Sequence, residues 1–195
     1  MDERFQFDRE KFKDAVHYVV HFVTMNYGSS VLGNTKLHKI LYYADMLHFL
    51  ETGHPLTGAD YLRQRFGPTA RHLGWSLVDL QSDQRIAVTR SNYHGYSKSD
   101  YASLSEPPRG RLSNGEIELL EELSQFVCAH TATEISDFTH DDVWASVPMG
   151  ARIPYYASFA MFPAEITDDD IDDANLETAR LAPMVEAQVR DGKVY

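Results

Sequence analysis

A chain of 195 residues that is 43% hydrophobic and 12% aromatic has the length and the apolar content for one domain with a real core, and its composition is not that of a disordered segment. The formal net charge of −11 argues against nucleic-acid binding through a broad basic surface and favours association with basic partners. No apolar run approaches the roughly 18 residues of a membrane span. Met1-Asp2-Glu3-Arg4 lacks a signal-peptide pattern and the single cysteine, Cys128, permits no disulfide within the chain, so a reducing cytoplasm is the expected location.

In chain order, residues 8–27 are expected to form a helix, because Phe12, Ala15, Val16, Val19, Val20 and Val23 recur at three- and four-residue steps. Asp8 is its expected cap and Gly28 its stop. A second helix is expected from Asn34 or Thr35 to Thr52, with an apolar face of Leu37, Ile40, Leu41, Ala44, Leu47 and Phe49, ended by Gly53 and Pro55. Tyr61 to Phe66 alternate as a short strand would, and Gly67-Pro68 is expected to break it before a third helix from about Thr69 to Gln81. Residues 85–91 and 99–104 predict a β-hairpin around 92–98.

Further on, Glu106-Pro107-Pro108-Arg109-Gly110 reads as a turn that no central strand can contain. Ser113 with Glu116, and Thr131 with Glu134, are capping boxes opening helices to about Ala129 and Thr139. Residues 141–147 predict one or two helical turns before Pro148. Residues 150–163, aromatic and Pro-punctuated, are expected to pack irregularly. Asp168, Asp169, Asp170, Asp172 and Asp173 then precede a helix at 174–190, where acids in the first turn suit the helix dipole and Pro183 would bend or split it. The expected fold is mainly α (α+β), with a small antiparallel β element around residues 60–105.

The residues that carry chemistry form no recognisable catalytic signature. His17 and His21 stand at the i, i+4 spacing of paired metal ligands, but without an intervening carboxylate or an obvious third ligand they read as the polar edge of a helix. His38 and His48 read as hydrogen-bonded structural histidines. Cys128 lies in an apolar helical stretch and reads as core. There is no Gly-rich phosphate loop and no Gly-x-Ser-x-Gly elbow, and the acidic cluster lacks the glycine and closing glutamate of an EF-hand. Arg63, Arg65 and Arg71 flank Gly67-Pro68. They suit an anionic group on a partner, or structural pairs with Asp45, Asp60 or Glu51.

One larger pattern emerges from order and spacing. Lys36, Leu37, Lys39, Ile40, Leu41 and Tyr42 are followed by Gly53, Pro55 and Leu56, then Gly67-Pro68, and later Ser136, Thr139, His140, Trp144, Gly150 and Ile153. This succession, over roughly residues 8–160, resembles the Panacea domain, the SocA-like family of antitoxins. Arg65-Phe66 departs from it, standing where a pair such as Lys-Tyr is common, the hairpin has no recognisable counterpart, and nothing beyond about residue 165 matches.

The resemblance implies a Panacea-like domain at 1–165; residues 166–195 are, by their own composition, an acidic tail expected to be helical. It implies a type II-like antitoxin that neutralises a cognate protein toxin by direct binding and needs no catalytic constellation; on the residues themselves no enzymatic activity, no cofactor, no metal, no direct nucleic-acid contact and no membrane are expected. A homo-oligomer is compatible with it, and one branch of the family implies a proteolytic adaptor. The competing class is a hydrolytic or metal-dependent enzyme built from scattered His, Asp and Tyr residues. Under the antitoxin reading, Arg63, Arg65 and the five tail aspartates are the partner-binding candidates. Leu37, Leu41, Tyr42, Gly67, Pro68, His140 and Trp144 are structural motif residues, with Leu41 and Trp144 expected as buried core anchors and His140 as a structural hydrogen-bonding residue.

Overall fold

The computed structural model describes residues 5–93, 96–140 and 142–161, and helical residues 171–172, 175–176 and 178–183. Two compact units are distinguished, Met1–Met161 and Phe162–Tyr195. The first is mainly α with a small antiparallel sheet. Of the five tail aspartates, Asp172 is helical and exposed; Asp168, Asp169, Asp170 and Asp173 lie outside the described residues.

Helix α1 (Arg9–Tyr27) begins where the Asp8 carboxylate accepts the Lys11 N–H at 2.9 Å. This satisfies one of the orphan donors of a helix start. Its Phe12, Ala15, Val16, Val19, Val20 and Val23 are all buried. Helix α2 (Gly33–Thr52) is the centre of the unit, packing against α1, two later helices, the 3-10 turn that starts at Tyr155 and both β elements. That is why its middle is buried nearly all round, from Lys36 to Met46, rather than on one stripe. Leu37, Leu41 and Tyr42 all sit in this core. Gly53 ends the helix in the left-handed conformation, its N–H donating to Phe49 O at 2.8 Å.

The β structure differs from the sequence expectation in three places. Gly67-Pro68 does not end the extended segment. Strand β1 (Tyr61–Gln64) turns through Arg65-Phe66 and returns as β2 (Gly67–Ala70), with Gln64 opposite Gly67 and Tyr61 opposite Ala70. Helix α3 (Leu73–Ser82) therefore starts after β2, not at Thr69. Pro68 is tolerated because β2 is an edge strand of the β2-β1-β5 sheet. The hairpin of β3 (Ile86–Tyr93) and β4 (Tyr96–Ser103) is longer than expected, since ladder pairing runs on through polar residues such as Asn92 and Ser97. The segment after Pro148 is not wholly irregular: β5 (Arg152–Ile153) pairs antiparallel with β1, and Tyr155–Ala160 form a 3-10 helix.

Helices α4 (Asn114–Ala129) and α5 (Ala132–Phe138) open with complete capping boxes at Ser113/Glu116 and Thr131/Glu134. Helix α6 (Asp142–Ser146) follows. Among the described residues no helix is long and apolar enough to cross a membrane.

Candidate functional site

The β1–β2 hairpin is where most of the spaced motif residues meet. Lys39 on α2 is 1% exposed, and its Nζ donates to Phe66 O at 2.6 Å and Pro68 O at 3.2 Å. The carbonyls of the turn thus stand in for water around a buried amine. One residue earlier, His38 Nδ1 accepts the Ala70 N–H at 3.0 Å and ties β2 to α2. An accepting Nδ1 must be unprotonated, and burial, with Lys39 alongside, pushes this imidazole down to about 4.

Two further elements hold the same hairpin. From α5, Ser136 Oγ donates to Phe66 O at 3.3 Å, and Thr139 Oγ1 donates to Ser136 O at 2.9 Å. From α6, Trp144 Nε1 donates to Gln64 O at 3.3 Å. The Trp144 ring stacks on His140 with centroids 4.0 Å apart, and the Arg63 guanidinium lies 4.0 Å from the ring centre. Trp144 is therefore half-buried at this junction instead of fully inside the core. Arg63 donates to Ala145 O at 3.0 Å and to Val147 O, closing the C-terminal end of α6.

The three arginines consequently do not converge. Arg63 is engaged within the fold. Arg71 pairs with Asp60 at 3.8 Å, and Asp60 also receives Arg152 at 2.7 Å. Arg65 stays exposed, its guanidinium 5.4 Å from the ring centre of Phe66, which is itself 64% exposed. Nearby on α5, Phe138 is 56% exposed and contacts Phe126 and Tyr43 at centroid distances of 5.7 and 6.1 Å. The arrangement is a polar, buried clamp beneath an aromatic and cationic tip.

The remaining candidates resolve locally. His17 Nε2 meets Ser105 O at 3.1 Å, and His21 Nδ1 meets Ser103 Oγ at 3.2 Å while its Nε2 lies 3.5 Å from Glu106. Ser103, His21 and Glu106 thus line up in the order nucleophile, base, acid, which nothing in the sequence signalled. The Ser103 hydroxyl donates to Ser105 O at 2.8 Å, however, so its proton is directed at a carbonyl and not at the imidazole. His48 meets His54 O at 2.7 Å and Glu116 at 3.4 Å. Cys128 is half-buried, and burial pushes its thiol up, away from the reactive thiolate. Among the described residues no three His, Cys, Asp or Glu side chains are placed to hold a metal ion.

The buried Lys39 gives the clamp a pH dependence. Burial holds this amine down at about 7, whereas an unfolded lysine titrates near 10.4. Between those values the unfolded chain binds more protons, so the native state gains stability as pH rises and loses it as pH falls through 7. Lys39→Met removes the group. Over pH 6.5–9.5 the unfolding free energy of the native protein should climb relative to the variant by about 3 kcal/mol. Chemical denaturation at each pH measures it, and a constant difference would mean that Lys39 titrates as an ordinary lysine. The window stops short of pH 10 because the tyrosines titrate above it; Tyr18 and Tyr101, for example, are pushed up to about 12.

A family model described as antitoxin SocA-like, Panacea domain, matches residues 37–145, more than half of the chain. The matched span contains the clamp residues from His38 to Trp144. No curated protein and no solved structure matches the chain.

Proposed function

Since the chain belongs to the SocA-like antitoxin family with a Panacea domain, we propose that it is the antitoxin of a type II-like pair, neutralising a cognate protein toxin by direct binding and occlusion. The observation that carries the reading is the exposed Arg65-Phe66 tip held by a buried clamp of matched residues. Interfaces concentrate their binding energy in arginine and aromatic anchors, and a tip fixed from three helices loses little entropy on docking. Phe138 extends this face from α5. The acidic tail, Asp168, Asp169, Asp170, Asp172 and Asp173, adds long-range attraction for a basic toxin surface. Neutralisation of this kind needs no catalysis and no cofactor, and it takes place in the cytoplasm.

Co-expression with the neighbouring reading frame, scored by growth rescue and co-purification, tests the reading as a whole; absence of both for a folded chain sinks it. Rescue that disappears in protease-deficient cells, without a stable complex, points to a proteolytic adaptor instead. Within a stable complex, Phe66→Ala should weaken binding by roughly 30-fold, the size of a hot-spot loss, with unchanged circular dichroism. Unaltered affinity would move the interface away from the tip. Changing the five aspartates to Asn should slow association and flatten its salt dependence while leaving dissociation nearly constant.

A further inference from the structure

A cleft of about 1090 Å³ opens on another part of the first unit, between the start of α2, one face of α3, the β3–β4 hairpin and the beginning of α5. Its size is slightly above the roughly 300–1,000 Å³ usual for small-ligand sites. It shares no lining residue with the Arg65-Phe66 tip. Its lining includes Lys36, Arg90 and Lys98 and no acidic residue, in a chain whose net charge is −11.

Lys36 is the informative member. It is 8% exposed, so its stem is enclosed, yet among the described residues it makes no hydrogen bond and no ion pair. Lys39, one turn later on the same helix, shows what a purely structural buried lysine does here: it is bonded to two carbonyls. Lys98 is likewise engaged, with Ser30 O and with Asp100 at 2.9 Å. The stem is enclosed while the ammonium reaches solvent at the cleft, so the cleft presents a cation that no protein group among the described residues hydrogen-bonds. Arg90 adds a second cation, exposed and without an ion pair among the described residues.

The backbone adds to the same charge. Helix α2 begins with Leu32 at its cap position and no side-chain cap, and Gly33, Asn34 and Thr35 of its first turn line the cleft. Their amide ends carry the positive pole of a 20-residue helix. The lining also includes the apolar Leu77 and Val78 of α3 and Val88 of β3.

We propose that this cleft binds a small organic phosphate of nucleotide size, with the phosphate on Lys36 and the first turn of α2 and the apolar body against Leu77, Val78 and Val88. This site is separate from the toxin-binding reading and stands or falls without it.

Isothermal titration of the full chain with the four nucleoside monophosphates, two sugar phosphates, adenosine and inorganic phosphate tests it. At least one phosphorylated compound should bind, with adenosine and inorganic phosphate at least 10-fold weaker. Lys36→Met, which keeps the stem and removes the charge, should weaken that binding at least 10-fold. Because the ammonium has no partner to lose, the variant should melt no lower than the native protein. Arg90→Gln, at an exposed position, should weaken binding several-fold and serves as the second variant. Three results would overturn the proposal: no binding by any phosphorylated compound at millimolar concentration, native affinity in Lys36→Met, or binding only of an acidic peptide run in parallel. Inorganic phosphate binding as tightly as the best organic phosphate would overturn the assignment of Leu77, Val78 and Val88.

Discussion

Asp45→Ala should destabilise the domain by about 5 kcal/mol, the largest loss expected from any single side chain in the core. The carboxylate is 1% exposed and accepts four donors: Thr57 N–H at 2.5 Å, Thr57 Oγ1 at 2.6 Å, Gly58 N–H at 3.3 Å and Tyr61 OH at 2.6 Å. Alanine strands these buried donors at about 1–3 kcal/mol each, less whatever they recover by turning to other acceptors. Tyr61 has such an acceptor, since Leu41 O lies 2.7 Å from its hydroxyl. Asp45→Asn keeps the volume and one accepting oxygen, and should cost only about 1–2 kcal/mol.

The two Asp45 substitutions also separate by pH. Burial pushes the Asp45 carboxyl above the usual carboxylate range, against the pull of its donors. A carboxyl whose folded value is raised gives stability that is full below the unfolded value of about 3.9 and lost as pH rises through the folded one. Relative to the Asn variant, the native protein should therefore gain stability on acidification towards pH 4. Urea unfolding at several pH values reads both effects. An alanine cost below about 1 kcal/mol would mean that water reaches the Thr57–Tyr61 segment. That segment leads the chain into β1, so its loosening would also release the base of the exposed tip.

The helices were legible in the sequence because their signals are local. Asp8, Gly53 and the Ser113/Glu116 and Thr131/Glu134 boxes sit within one turn of the ends they cap. Strand pairing is non-local and was read less well. Gly67-Pro68 carries the same letters whether it terminates a strand or starts an edge strand, and the difference lies in β5 leaving β2 at the sheet margin. Arg152–Ile153 is too short for any periodic signal.

At the site, the order of the motif residues was visible but their roles were not. Lys36 and Lys39 are equivalent by composition and three residues apart, yet one opens into a cleft and the other is enclosed beneath a hairpin turn. Arg63 and Arg65 looked alike as anion binders until Trp144 and the end of α6 claimed the first. Trp144 read as core because a helical period marks a face without saying what covers it.

Gly67→Ala should cost about 4 kcal/mol, for two separable reasons. Gly67 has φ of +96°, where L side chains are strained by about 1–3 kcal/mol. A Cβ there would also lie 2.0 Å from Lys39 Nζ and 2.6 Å from Thr139 Oγ1. The amine must then move off Phe66 O and Pro68 O, the two carbonyls it is bonded to. A double-mutant cycle isolates this second part. In a Lys39→Ala background the amine is gone, so Gly67→Ala should cost only the backbone strain and the contact with Thr139, leaving a coupling of about 2 kcal/mol between the two positions. Equal costs in both backgrounds would show that the ammonium does not fill the space under the turn. If the proposed toxin complex forms, the single variant should bind more weakly in it even at temperatures where it is fully folded. The turn that the alanine distorts is the one that sets Arg65 and Phe66, and native affinity at such a temperature would detach the clamp from recognition.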